Sequence, residues 1–144
     1  MSLKNIRVVL VRPMYGGNMG SVCRAMKNMG LSDLAVVSPQ ETINPMEARM
    51  MAHHASDILE ARKTFDSVAG AVADCTMVAG TTGRAGLYRS HAKTPREWTP
   101  DILRAAHHGR VALVFGPEDS GLSNEELALC TRIIRIQSSK KYPS

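Results

Sequence analysis

The sequence predicts an α/β fold: a mostly parallel sheet of about five strands with helices on both faces. Three observations carry that prediction. Apolar runs of strand length alternate with helix-period segments along the whole chain. The two strongest runs, residues 6–11 and 111–115, are nearly continuous in apolar residues, as in strands covered on both sides. Several runs end at glycine-bounded loops, where open parallel sheets place their ligands. With 144 residues the chain is long enough for one domain with its own core, spanning 1–144.

The elements follow in order. Residues 6–11 (Ile-Arg-Val-Val-Leu-Val) form the first strand, broken by Arg12-Pro13-Met14-Tyr15-Gly16-Gly17. Asn18 is expected to open a helix that runs to about Asn28 and stops at Gly30. Met19, Val22, Cys23, Met26 and Met29 recur at helical spacing and make its expected buried stripe. Asn18, Ser21, Arg24 and Asn28 lie along a different, polar face. The strand, glycine turn and helix start leave backbone N–H groups that could hold an anion. This is not a dinucleotide fingerprint: fitting G-x-G-x-x-G to Gly17 and Gly20 puts Tyr15 at the first glycine.

Residues 34–37 are a second short strand. Asn44 as cap, Pro45 as first helical residue and Glu47 as third begin a helical region to roughly Arg62, broken near Ala55-Ser56. His53 and His54 are adjacent, so they face different sides of a helix and make no paired metal site. Residues 65–73 read as a third helix, with Phe65, Val68, Ala69 and Val72 on one side. Residues 75–79 are the next strand, ending at Gly80-Thr81-Thr82-Gly83.

A long polar segment follows, with Arg84, Arg89, His91 and Lys93 close together. Loops this long are often binding loops, and a solvated basic loop is the alternative. Thr94-Pro95-Arg96-Glu97 carries a cap, a proline and a glutamate, and Thr99-Pro100 is expected to restart a helix to about His108. The strand 111–115 must stop at Gly116-Pro117, because proline cannot donate to a ladder. Gly121 closes a tight loop, and Ser123 with Glu126 makes a capping box for the next helix. Residues 133–136 are the last strand.

In such a sheet three loops converge on one edge: 80–83, 116–121 and the segment after Ile136. That is the default place for a small ligand. Glu118 and Asp119 sit on one of these loops, either for function or simply to keep it soluble.

The totals exclude several classes. Apolar residues are 44% and charged residues 22%, which argues against wholesale disorder. Aromatic residues at 4% are too few for a protein that binds single strands on stacking platforms. A net charge of +5 permits a polyanionic partner without requiring one. Cys23, Cys75 and Cys130 are odd in number with no C-x-x-C, so neither a disulfide framework nor a zinc site is expected. No apolar run approaches membrane-span length and no leader is recognised. Reduced cysteines and a cytoplasmic location are the expectation.

The motifs resemble those of a known family. Residues 17–26 (Gly-Asn-Met-Gly-Ser-Val-Cys-Arg-Ala-Met) are similar to the first motif of the SPOUT, or α/β-knot, RNA methyltransferases, with its Asn and Arg. Residues 115–123 (Phe-Gly-Pro-Glu-Asp-Ser-Gly-Leu-Ser) resemble the second, F-G-x-E-x-x-G-L, and 133–144 the start of the third. Residues 80–84 are similar to the TrmJ branch of the TrmH/TrmJ group.

The resemblance implies an S-adenosylmethionine-dependent transfer of a methyl group to a ribose 2′-hydroxyl, most of all of tRNA, with rRNA as the alternative substrate. It implies Arg24 as catalytic, and Asn18 as ordering the same loop, touching RNA phosphate or merely capping the helix. It implies Thr81, Thr82, Gly83, Gly116 and Ile136 as the cofactor pocket, with Ser144 beginning the third motif. Glu118 would brace its loop, or contact the cofactor or Arg24. No metal is implied. Arg7, Arg12, Lys27, Arg84, Arg89 and Lys93 are candidates for phosphate contact. A homodimer is implied, with the pocket from one protomer and Arg24 from the other. The sequence departs from the family after Ser144, where the rest of the third motif and a last helix would follow. That departure implies a fragment with the knot-forming segment missing, weak cofactor binding and little activity. Two rival readings remain, a non-catalytic RNA binder on the same fold and a Rossmann-like nucleotide enzyme.

Overall fold

A computed structural model describes residues 2–83 and 91–138. Six strands form one sheet in the order β3-β2-β1-β5-β4-β6, and every pairing is parallel. The strands are β1 (Ile6–Val11), β2 (Asp33–Val37), β3 (Lys63–Phe65), β4 (Cys75–Thr82), β5 (Arg110–Phe115) and β6 (Arg132–Arg135). The helices are α1 (Gly16–Asn28), α2 (Pro45–Ala52), α3 (Ser56–Glu60), α4 (Val68–Ala71), α5 (Pro95–Ala106) and α6 (Asn124–Ala128).

Alternation along each strand sends its side chains to two cores. On one face Val8, Leu10, Leu34 and Val36 pack under α1, α2 and α3 through Met19, Cys23, Met26, Ala48, Ala52 and Ile58. On that same face Met77, Val111 and Ile134 meet Trp98, Ile102 and Ala106 of α5. On the other face Val9, Val11, Ala35, Val78 and Val114 meet Val68 and Ala71 of α4 and Leu127 of α6. Helices thus cover both faces, as expected.

The expected count of about five strands is one short. The sixth, β3, lies between two expected helical stretches and takes Phe65, the first residue of the expected 65–73 helix. Ser67 caps that helix by accepting from the Gly70 N–H, so only Val68–Ala71 is helical. Phe65 instead ends an edge strand, its carbonyl accepting from Ser38 N–H at 3.0 Å. Three residues with two polar ones, Lys63 and Thr64, leave no periodic signal to read.

Other boundaries also shift. α1 opens at Gly16 with Tyr15 as cap, so Asn18 is its third residue and not its opener. Met29 is 72% exposed, outside the expected buried stripe, because it follows the last turn where the chain leaves for Gly30 at φ 77°. The break after α2 comes at His53, with φ 49°, ahead of Ala55-Ser56. α5 runs unbroken through Pro100, so Thr99-Pro100 starts nothing. Proline lacks only the bond to the Arg96 carbonyl, and Arg96 and Pro100 both lie on the exposed side of the helix. β4 continues through Gly80 to Thr82, because β6 pairs with 79–82 and extends the ladder. A Cβ on Gly80 would sit 2.5 Å from Cys130 Sγ, so the glycine admits that thiol.

α1 and α2 touch through glycine. A Cβ on Gly16 would lie 2.4 Å from the Asn44 carbonyl oxygen, and one on Gly20 2.4 Å from that of Ala48. Two glycines four residues apart set how close α2 lies, and thereby the entry angle of α1 above the sheet.

Candidate functional site

Parallel strands present their carboxyl ends on one edge, and the order β1-β5-β4-β6 makes four of those ends neighbours. The three loops expected to converge do so. Ile136 N–H donates to the Thr82 carbonyl at 2.9 Å, extending the β4–β6 ladder past its last pair. Thr81 Oγ1 donates to the Val114 carbonyl at 2.9 Å, fixing β4 against β5. After β5, Gly121 (φ 69°) donates its N–H to Pro117 at 2.9 Å and closes the loop. Gly116 has no room for a side chain, since a Cβ would stand 2.2 Å from Leu122 N. The Thr81 hydroxyl is engaged within the sheet. Ile136 offers an apolar side chain, 44% exposed. Gly83 lies at the rim in a bend.

Glu118 makes one of the kinds of contact left open for it. Its carboxylate accepts the backbone N–H groups of Met14 and Tyr15, each at 2.9 Å, and the side-chain amide of Asn18 at 3.0 Å. It braces the turn between β1 and α1. Burial pushes its carboxyl upward, but the Asn18 and backbone hydrogen bonds outweigh that and hold it below the ordinary range. Glu47 does a similar job from α2, accepting Gly17 N–H at 3.0 Å. The anion site expected at the start of α1 is therefore occupied by the chain's own carboxylates. Sequence reading took Glu47 only for a favourable first-turn residue, and nothing local marks its reach to Gly17.

Arg12 is placed differently from a phosphate contact. Its guanidinium grips Glu126 through Nε at 3.2 Å and Nη2 at 2.9 Å, and its own φ is 48°. Glu126 also caps α6 through Ser123 N–H at 2.8 Å. Arg7 is likewise withdrawn, 2% exposed and bonded to Asp33, Asp74 and the Ala71 carbonyl. Lys27 pairs with Asp57 at 2.9 Å. Lys93 is exposed beside β6. Arg84, Arg89 and Ser144 lie outside the described residues.

Arg24 stands on α1 six residues beyond Asn18, about 9 Å down the helix axis from the strand-tip edge. Its Nε is buried, and no described residue accepts a hydrogen bond from it. Below the rim, a cavity of about 380 Å³ runs between α1 and the sheet, with Asn18, Gly116 and Glu118 at its mouth and Leu10, Val22 and Phe115 in its wall. Among the described residues no cluster of His, Cys, Asp or Glu could hold a metal ion. No helix of the described residues is long and apolar enough to cross a membrane.

Comparison with known proteins adds the following. Residues 5–144 match the SpoU rRNA Methylase family. The chain is 40% identical over 141 residues to the tRNA (cytidine-2′-O-)-methyltransferase TrmJ of Methanocaldococcus jannaschii, covering 96% of this chain and 60% of that protein. It is 40% identical to the tRNA (cytidine/uridine-2′-O-)-methyltransferase TrmJ of Klebsiella pneumoniae, covering 99% and 58%. The crystal structure of TrmJ from Z. mobilis ZM4 superposes with a TM-score of 0.85 at 36% identity, over 96% of this chain and 61% of that one. The chain thus spans about three fifths of the length of these relatives.

Proposed function

Because the chain belongs to the SpoU rRNA methylase family, we propose that the protein transfers a methyl group from S-adenosylmethionine to a ribose 2′-hydroxyl of tRNA, in the cytoplasm. The observation that carries this reading is the seating of residues 80–83, 116–121 and 136 side by side on adjacent parallel strands. Small residues, a Thr81 hydroxyl turned into the sheet and one exposed isoleucine line the edge there, which fits a nucleoside-type ligand. Thr81, Thr82, Gly83, Gly116 and Ile136 would hold the cofactor, whose sulfonium supplies an electrophilic methyl when bound. Glu118 holds the turn that carries Asn18, and so sets where the rim stands relative to α1.

Arg24 is the group we assign to the ribose oxygen. A guanidinium keeps its proton, so it serves as a fixed cation that lowers the hydroxyl's pKa and favours the developing oxyanion. Its buried Nε without an acceptor fits a group kept for a partner outside the described chain. In line with the family resemblance, the reading takes the protein as a homodimer in which each Arg24 serves the other protomer's cup. Lys93 is assigned to RNA phosphate, together with Arg84 and Arg89.

The test is direct. Titration calorimetry of the full-length protein with S-adenosylmethionine should show saturable binding, and mass-spectrometric mapping of unmodified tRNA after incubation should reveal a 2′-O-methyl nucleotide. Cofactor binding without methylation of any RNA would point to another acceptor. RNA binding with no cofactor uptake would favour a non-catalytic binder.

A further inference from the structure

A second basic surface lies along the outer edge of β6, built from residues that the strand-tip cup does not use. A cleft of about 850 Å³ opens there, beside the last turns of α5. Its described lining carries His91, Lys93, Arg104, His108 and Arg132 against a single acid, Asp101. Arg104 meets Asp101 at 3.3 Å only in an exposed i,i+3 pair, too weak in water to withhold the guanidinium from a phosphate, so the rim stays positive. Two of these charges are seated. Lys93 Nζ stands 4.6 Å from the centroid of the Trp98 ring, and the Arg132 guanidinium carbon 5.5 Å from it. The ring cannot swing away: it is buried, and its Nε1–H donates to the Ile133 carbonyl at 2.8 Å. Lys93 is held through its backbone as well, between Ile133 and Arg135. Seating on an aromatic face orders a cation without neutralising it.

We propose that this rim grips the phosphodiester backbone of the RNA substrate, as a second contact apart from the methyl-transfer cup. The proposal rests on the RNA reading above. Ordered, unneutralised cations suit a chain of phosphates. Trp98 and Met77 are buried, so among the described residues the cleft has no exposed aromatic anchor of the kind that protein interfaces centre on.

Filter binding of the full-length protein to unmodified bulk tRNA, from about 50 to about 300 mM salt, tests it. The double variant Arg104→Ala/Arg132→Ala should bind about tenfold more weakly at low salt. Its plot of log affinity against log salt should flatten by about 1 to 2. In the methylation assay KM should rise with kcat unchanged. Arg104→Glu alone leaves the Trp98 stack intact and should weaken binding with no change in melting temperature. Lys4→Ala/Arg49→Ala removes the same formal charge from exposed positions elsewhere and should alter neither affinity nor slope. If wild-type protein binds no tRNA, the RNA reading itself fails. If it binds and methylates tRNA while both Arg104 variants match it, the rim proposal alone is overturned and the cleft is left to an acidic protein partner. An equal loss in the Lys4/Arg49 control would likewise overturn it, since net charge would then explain the effect.

Discussion

The Glu118 carboxylate, on the loop after β5, accepts the Asn18 amide of α1 at 3.0 Å across 100 residues of chain. Two backbone N–H groups, of Met14 and Tyr15, complete its shell. The rim of the cup and the start of the helix carrying Arg24 are thus one mechanical unit. Glu118→Gln keeps the shape but turns an NH₂ toward some of these donors. Urea unfolding at pH 7 should show a loss of about 1–3 kcal/mol. Unchanged stability would mean that the three hydrogen bonds carry no net weight.

The same carboxylate, with Glu126, sets a pH dependence. Burial raises both, but hydrogen bonds from Asn18 and the Met14 backbone to Glu118, and from Arg12 and Ser123 to Glu126, lower them further. A carboxyl whose folded pKa lies below its unfolded value, about 4.3, binds fewer protons when folded. Its stabilisation is therefore full above that unfolded value and is lost as pH falls through the folded one. Wild-type stability should decline below about pH 4.5. The gap between wild type and Glu118→Gln should narrow over the same range. A gap that stays constant down to pH 3 would show that charge at this position is irrelevant.

At the opposite edge of the sheet Arg7 is enclosed by Asp33 at 3.1 Å, Asp74 at 2.8 Å and the Ala71 carbonyl at 2.8 Å. Lys63 and Arg110 stand further from Asp33, at 4.0 and 3.6 Å. Arg7→Ala strands a largely buried carboxylate and should destabilise the fold by about 3–5 kcal/mol. Arg7→Met/Asp33→Leu removes both charges at similar volume and should recover most of that. If the single and double variants unfold alike, the pair contributes through packing alone.

Gly20 makes a sharper packing prediction. A Cβ there would meet the Ala48 carbonyl oxygen at 2.4 Å and the Ala52 nitrogen at 2.7 Å, both backbone atoms that cannot step aside. Gly20→Ala should cost about 1–3 kcal/mol despite alanine's better helix propensity. At Gly17 the obstacle is mainly the flexible Glu47 side chain, at 2.7 Å, so Gly17→Ala should cost less. Equal effects on the melting temperature would mean that α2 can slide.

These glycines show where the sequence could be read and where it could not. The strands β1 and β5 were legible because their apolar runs are unbroken, and α6 because Ser123 and Glu126 are local partners. The convergence of three loops followed from strand–helix alternation alone. What stayed hidden depends on contacts distant in sequence. Gly20 belongs to the motif at 17–26, yet in the fold it and Gly16 admit α2. Arg7 and Arg12 read as cations free for phosphate, but Asp74 and Glu126, 67 and 114 residues away, claim them. β3 was missed because an edge strand of three residues is specified by Ser38 and Ala35–Val37 beside it, not by its own pattern.

Arg24 is the remaining test of the site. Its proposed role depends on delivery across a dimer. Arg24→Ala should lower turnover by about 10²-fold or more while cofactor affinity stays within a few fold. Arg24→Lys keeps the charge but not the planar fork, and should rescue part of the rate at most. Ile136→Glu puts a charge on an exposed apolar pocket residue and should weaken cofactor binding without unfolding the chain. Alone, each variant is nearly inactive. Mixed in equal amounts and allowed to exchange subunits, half of the dimers pair an intact pocket with an intact arginine at one of their two sites. Activity should then return to roughly a quarter of wild type. If the mixture stays as inactive as its parts while exchange is shown by native mass spectrometry, Arg24 does not act across the dimer, and its assignment to the ribose oxygen falls with it.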